Sequence, residues 1–262
     1  MARRTNLPRT TRWVVRILRP ILMLVTRRDW QGAEKLPSGG YVLAPNHLSH
    51  VDPILLAHFM VDHDVTPRYL AKDTLFDVRL IGAIVRGAEQ IPVHRSTAGA
   101  AESLRTAVEA VQAGQVVTIY PEGTITRDPD LWPMSSRTGA VRVALASGKP
   151  LVPVAQWGAQ NMLWPYSKRL RLLPRTTVHV HVGDPIDLSD FAGRELTEDL
   201  LHQATDRLVD TLTTMLGEIR GELPSGPRFD VRSLERPRSS YTETPTDHPG
   251  ESAPRTPETE EH

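Results

Sequence analysis

Gly40-Tyr41-Val42-Leu43-Ala44-Pro45-Asn46-His47-Leu48-Ser49-His50-Val51-Asp52-Pro53-Ile54 is the stretch from which the rest of the chain can be read. The run 40–45 is short and apolar, the pattern of a buried strand. Asp52-Pro53 predicts a helix start, with an aspartate cap and proline at the first helical position ahead of Ile54–Val61. Between them His47 stands five residues before Asp52. On an ideal helix five residues turn through about 500°, so these side chains would not share a face. A loop over 46–51 lets the chain turn, so that the carboxylate can accept a hydrogen bond from one imidazole nitrogen while the other faces a substrate. Such a pair is a general base: the aspartate fixes tautomer and orientation, and the histidine takes the proton of an attacking hydroxyl. Taken alone, the spacing also fits Asp52 as a plain helix cap and His47 as an ordinary loop residue.

Outward from this unit, short apolar runs alternate with helical periodicities, and no internal repeat is present. Strands are predicted at Arg68–Ala71, Val116–Tyr120, Leu151–Ala155 and Thr177–Val182, the last with period two. Helices are predicted at Ala98–Ala113, stopping at Gly114, at Thr138–Ala146, ending at Gly148, and at Glu198–Ile219, which is long and amphipathic. The alternation marks an α/β fold, expected as a mixed, mostly parallel sheet flanked by helices over residues 29–223. From about Glu222 the composition shifts to Pro, Ser, Thr, Glu and Arg, which predicts a disordered tail over 224–262.

Residues 1–28 form a different kind of segment. The chain has 262 residues and no net formal charge, yet Arg3, Arg4, Arg9, Arg12, Arg16, Arg19, Arg27 and Arg28 all precede the first acidic residue, Asp29. Trp13, Val14, Ile17, Leu18, Ile21, Leu22 and Val25 recur at helical spacing among them, so a basic interfacial helix on an anionic membrane surface is expected. The other reading is a helix packed on the protein's own core. Arg16, Arg19 and Pro20 leave the apolar run short of the ~20 residues that span a bilayer. No small-residue cleavage site follows Val25. Peripheral attachment at the cytoplasmic face of the plasma membrane is the expectation. Nucleic acid is set aside as a partner, because the arginines are interleaved with a continuous apolar face.

The chain resembles the glycerol-3-phosphate and 1-acylglycerol-3-phosphate (lysophosphatidate) acyltransferase family, whose first motif, N-H-x4-D, is matched by Asn46, His47 and Asp52. Ala71-Lys72 followed by Leu75-Phe76 looks like the family's lysine-bearing segment. Ile91-Pro92-Val93-His94-Arg95 resembles its second motif, Tyr120-Pro121-Glu122-Gly123-Thr124 its third and Val152-Pro153-Val154 its fourth. Their common order is more specific than any single block. The resemblance implies direct transfer of a fatty acyl group, without an acyl-enzyme, from acyl-CoA or acyl-carrier protein to the hydroxyl of 1-acylglycerol-3-phosphate, giving phosphatidate. It implies His47 and Asp52 as the catalytic pair, Asn46, Lys72, Arg95, Glu122, Gly123 and Thr124 as substrate-binding residues, and no cofactor. An arginine fork suits phosphate, and the end of a buried strand is where α/β sheets bind ligands.

Two positions depart from the family pattern. Ile125 follows the E-G-T triplet where the family often has arginine, so Arg127 substitutes for it or the acceptor differs. His94 stands where an acidic or polar residue is common, and no role is assigned to it. The rival expectations are therefore another lysophospholipid or glycolipid acceptor, and a non-catalytic membrane adaptor. An adaptor would not need the base and its orienting carboxylate together. No metal is expected: no further ligands accompany His47 and His50, and His179 and His181 read as solvent-facing on one side of a strand. The chain lacks cysteine and carries no G-x-S-x-G elbow, G-x-G-x-x-G or P-loop.

Overall fold

The computed structural model describes residues 7–93 and 97–230. Its central sheet contains β1 (Thr26–Gln31), β2 (Tyr41–Pro45), β5 (Val116–Thr118), β6 (Leu151–Trp157) and β7 (Thr176–Val182), in the order β1-β7-β6-β2-β5. The pairs β1–β7, β6–β2 and β2–β5 are parallel, and β6–β7 is antiparallel. The expected mixed, mostly parallel sheet is thus observed. A second, two-stranded parallel sheet joins β3 (Leu70–Lys72) to β4 (Ile91–Val93).

Helices cover both faces, which is why β2 reads as an unbroken apolar run. Alternation along β2 sends Val42 and Ala44 to one side, among residues of α5 (Thr97–Gln112), α6 (Gly139–Ser147) and α8 (Glu198–Arg220). Tyr41 and Leu43 go to the other side, against Leu55, Leu56, Phe59 and Met60 of α2 (Asp52–Asp62). The α8 stripe Leu201, Leu208, Leu212 and Leu216 is fully buried. Each such side chain contributes roughly 1.5–3 kcal/mol relative to exposure.

The amino-terminal segment α1 (Arg9–Val25) runs directly into β1, which begins at Thr26. Arg27 and Arg28 therefore pair with Thr177 and Val178 in the sheet, so the boundary drawn at residue 28 falls inside a strand. Thr26–Gln31 hides its strand character because an edge strand tolerates charge. One face of α1 packs inward through Leu22 and Val25, and Arg19 forks onto Asp62 of α2 at 2.8 and 3.1 Å. The opposite face exposes Trp13, Ile17 and Leu24 at 66%, 58% and 71%. The reading of a helix packed on the protein's own core thus holds for one face, and the opposite face is apolar and exposed.

Two further helices, α3 (Thr74–Asp77) and α4 (Arg79–Gly87), follow β3, and a short α7 (Ala159–Met162) follows β6. None of the three was foreseen. Among the described residues no helix is long and apolar enough to cross a membrane. At the other end, the segment after Pro224 is held to the domain as far as Asp230. Ser135 donates its N–H to Phe229 O at 2.9 Å and its hydroxyl to Asp230 at 2.8 Å, and Arg228 pairs with Asp206 and Asp210. The tail boundary predicted at 224 is too early; residues 231–262 lie outside the described residues.

Candidate active site

Where β2 ends, the side chain of Asn46 extends its pairing with β6. Its amide donates to Gln156 O at 3.1 Å, its Oδ1 accepts Gln156 N–H at 2.7 Å, and Gln156 Nε2 donates to Asn46 O at 3.0 Å. Asn46 is buried and does not line the cleft described below. Asp52 is the first residue of α2, and its carboxylate turns back onto the loop instead of capping the helix. Oδ2 accepts the N–H groups of Leu48 and Ser49 at 2.5 and 2.7 Å and His47 Nδ1 at 2.9 Å. The expected cap is replaced by a loop clamp, and the anticipated turn between His47 and Asp52 is present.

This clamp orients the imidazole. A carboxylate partner requires a proton on Nδ1, so Nε2 is the basic nitrogen. The ring leans on Tyr120 with centroids 4.2 Å apart. Burial pushes the phenols of Tyr120 and Tyr69 upward, so both stay neutral. Tyr69 donates to Pro53 O at 2.8 Å and fixes the first turn of α2.

Glu122 lies behind the histidine and is buried. Its Oε1 accepts His47 N–H at 2.9 Å and its Oε2 accepts Met134 N–H at 3.3 Å. Burial raises its carboxyl to about 8, against the lowering effect of those two donors, with the Asp52 and Asp128 charges adding to the rise. Glu122 is not among the residues that line the cleft, and its contacts hold the backbone of His47.

His47 opens into a cleft of about 1460 Å³. Its apolar lining includes Val14 and Leu18 of α1, Ile54 and Val61 of α2, and Ile84 and Val85 of α4. Its polar lining includes Lys72, Thr124, Ser136, Arg137 and His202. Gly123 adopts φ +67°, and a Cβ there would stand 3.1 Å from Cδ and Nε of Arg137, so the glycine lets the arginine lie along the strand-end loop. Ile125 lines the cleft and is buried, whereas Arg127 is not in the lining and reaches Tyr166 Oη at 3.4 Å.

The structure therefore gathers His47, Lys72, Gly123 and Thr124 around one cleft. It places Asp52, Asn46 and Glu122 behind it, and Arg95 lies outside the described residues. Arg137 was missed: it stands fourteen places after Gly123 with no local pattern to mark it.

The acyltransferase family model matches residues 27–157. The chain belongs to the acyltransferase family. Its 1-acyl-sn-glycerol-3-phosphate acyltransferase relative from Bacillus subtilis (strain 168) is 28% identical over 189 residues, covering 71% of this chain and 88% of the relative. That from Borreliella burgdorferi is 25% identical over 182 residues, with 68% and 70% covered. The crystal structure of the 1-acyl-sn-glycerophosphate (LPA) acyltransferase PlsC from Thermotoga maritima superposes with a TM-score of 0.60 at 19% identity, over 82% of this chain and 81% of that one, which supports the fold. The family resemblance read from the motif blocks is borne out.

In this acyltransferase the buried Glu122 carboxyl has a measurable signature. Its folded-state value of about 8 lies above the unfolded value near 4.5, so the folded protein binds the extra proton between them. The stability it contributes is full below 4.5 and falls as pH rises to about 8. Denaturant titrations from pH 4.5 to 8.5 should show this downward trend in wild type and its loss in Glu122→Gln. Parallel profiles for the two proteins would mean that Glu122 is ionised throughout.

Proposed function

We propose that the protein transfers a fatty acyl group from acyl-CoA or acyl-carrier protein to the free hydroxyl of 1-acyl-sn-glycerol-3-phosphate, forming phosphatidate, at the cytoplasmic face of the plasma membrane. The carrying observation is the His47–Asp52 pair at the wall of a cleft whose lining combines many apolar side chains with the cations of Lys72 and Arg137. The named relatives act on this acceptor class and support the same choice.

In the proposed reaction His47 Nε2 takes the proton of the acceptor hydroxyl as its oxygen attacks the thioester carbonyl carbon. Asp52 stabilises the imidazolium that forms. Collapse of the tetrahedral intermediate breaks the C–S bond, and the proton passes from His47 to the leaving thiolate. No acyl-enzyme is formed. The apolar part of the cleft lining suits an acyl chain. Lys72 and Arg137 supply positive charge for the acceptor phosphate, Arg137 through its planar fork of donors. Ile125 favours a second reading, in which the acceptor is another lysophospholipid or a glycolipid, because it puts an apolar side chain where the family often carries arginine.

The membrane-facing surface is proposed to combine α1 with α4. Leu80 is 73% exposed and Ile81 43%, beside the exposed row of α1, and Ile84 of α4 reaches the cleft. Exposed apolar area of this extent marks an interaction surface. Arginines at both helices match anionic headgroups.

Labelled acyl donors, offered separately as CoA and carrier-protein thioesters, should acylate lysophosphatidate with wild type. His47→Ala should lose about 10²–10⁴ in rate with its fold retained. Equal activity in the variant would eliminate the general-base mechanism. Turnover confined to phosphate-free acceptors would replace the phosphatidate assignment.

Arg137→Ala should raise KM for lysophosphatidate about tenfold or more, an effect of the order of 1.4 kcal/mol, and leave KM for the acyl donor near wild type. An equal effect on both substrates would assign Arg137 a structural part.

Trp13→Glu combined with Leu80→Glu should cut partition onto vesicles containing anionic phospholipid by at least about tenfold. This substitution is preferable to deleting residues 1–28, which would also remove the start of β1 and one wall of the cleft. Undiminished binding by the double variant would rule out this surface.

A further inference from the structure

The edge of the sheet farthest from β5 carries a cluster that the acyl-transfer reading does not use. His179 and His181 lie two apart on β7, so their side chains share one face, and β1 pairs alongside with Asp29 opposite His179. Both rings turn to one carboxylate oxygen: His179 Nδ1 is 2.6 Å and His181 Nε2 3.2 Å from Asp29 Oδ2. The expectation of solvent-facing histidines is corrected accordingly. All three side chains are half-buried, and the three ligating atoms lie within 4.8 Å of one another.

We propose that Asp29, His179 and His181 form a binding site for a borderline divalent cation of the zinc class, which fastens β1 to β7. Two imidazoles and one carboxylate are a donor set such ions accept, with water in a fourth position. Bonds of about 2.0–2.2 Å in a tetrahedral shell hold ligand atoms roughly 3.3 Å apart. The 3.2 Å pair already has that spacing, and the 2.6 Å pair has to open by several tenths of an ångström, within the reach of small side-chain rotations.

Supporting contacts favour the same reading. Gln31 donates from Nε2 to Asp29 Oδ1 at 3.1 Å, which orients the carboxylate and leaves Oδ2 for the site. The two strands are already in register, so coordination orders little additional backbone. The ion would tie down the root of α1, because β1 follows that helix without a break.

The test is calorimetric titration of the full-length, chelator-treated protein with Zn2+, with Co2+ absorption as a spectroscopic check. One ion per chain is expected, with the visible absorption of four-coordinate cobalt and a raised melting temperature in its presence. His181→Gln and Asp29→Asn, both confirmed folded by circular dichroism, should each weaken binding at least tenfold, while His47→Ala should bind as wild type does. No saturable binding by wild type would overturn the proposal. So would binding that survives in both site variants, or that disappears in His47→Ala, which would place the ion at the cleft.

Discussion

A carboxylate with no exposure to water needs donors from the protein, and Asp52 finds three on a single oxygen. Two of them are backbone N–H groups of the loop that joins β2 to α2, so desolvation of the charge is compensated by winding that loop around it. The third is His47, and the same winding therefore aims its imidazole. A longer carboxylate side chain at position 52 would displace the loop as well as the ring. The geometry of the His47–Asp52 pair and the local folding are here one set of hydrogen bonds.

That loop is held from outside by two further devices. Asn46 and Gln156 exchange three hydrogen bonds between β2 and β6, which fixes where the strand ends and the turn begins. Glu122, in the turn that follows β5 on the other flank of β2, takes the N–H of His47 itself. The motif residues thus divide by depth. Those at the surface of the cleft meet whatever binds there, and those beneath keep the histidine from moving. Burial favours the neutral acid at Glu122 whereas its two N–H partners favour the anion, so this support is stiff but sensitive to pH.

Much of the fold was legible because burial imposes periodicity. The runs 40–45 and 151–155 are apolar on both faces since helices cover both, and the leucine stripe of α8 repeats as a helix packed on a sheet must. Elements without a large buried face escaped notice: β1 is basic and lies at an edge, and α4 turns most of its apolar residues outward. In the site, the five-residue spacing was enough to require a turn between His47 and Asp52. Depth was not legible. Nothing in Tyr120-Pro121-Glu122-Gly123-Thr124 tells which residue points at the cleft and which at the backbone of a loop 75 residues away. Arg137 and Asp29 were invisible for a related reason, since their importance comes from what lies beside them across the sheet or loop.

The two faces of α1 tie these observations together. Val14 and Leu18 line the cleft while Trp13 and Ile17, one residue before each, are exposed, so a single helix separates the apolar interior of the site from its surroundings. Under the proposed function both substrates carry long hydrocarbon chains, and a thioester near a general base is open to hydrolysis. An apolar wall excludes competing water, and an exposed apolar row on the same helix keeps that wall against lipid instead of solvent. Arg19 anchors the helix to Asp62 of α2, whose first residue is Asp52. The helix with the exposed apolar row is therefore joined through one short helix to the carboxylate that orients His47.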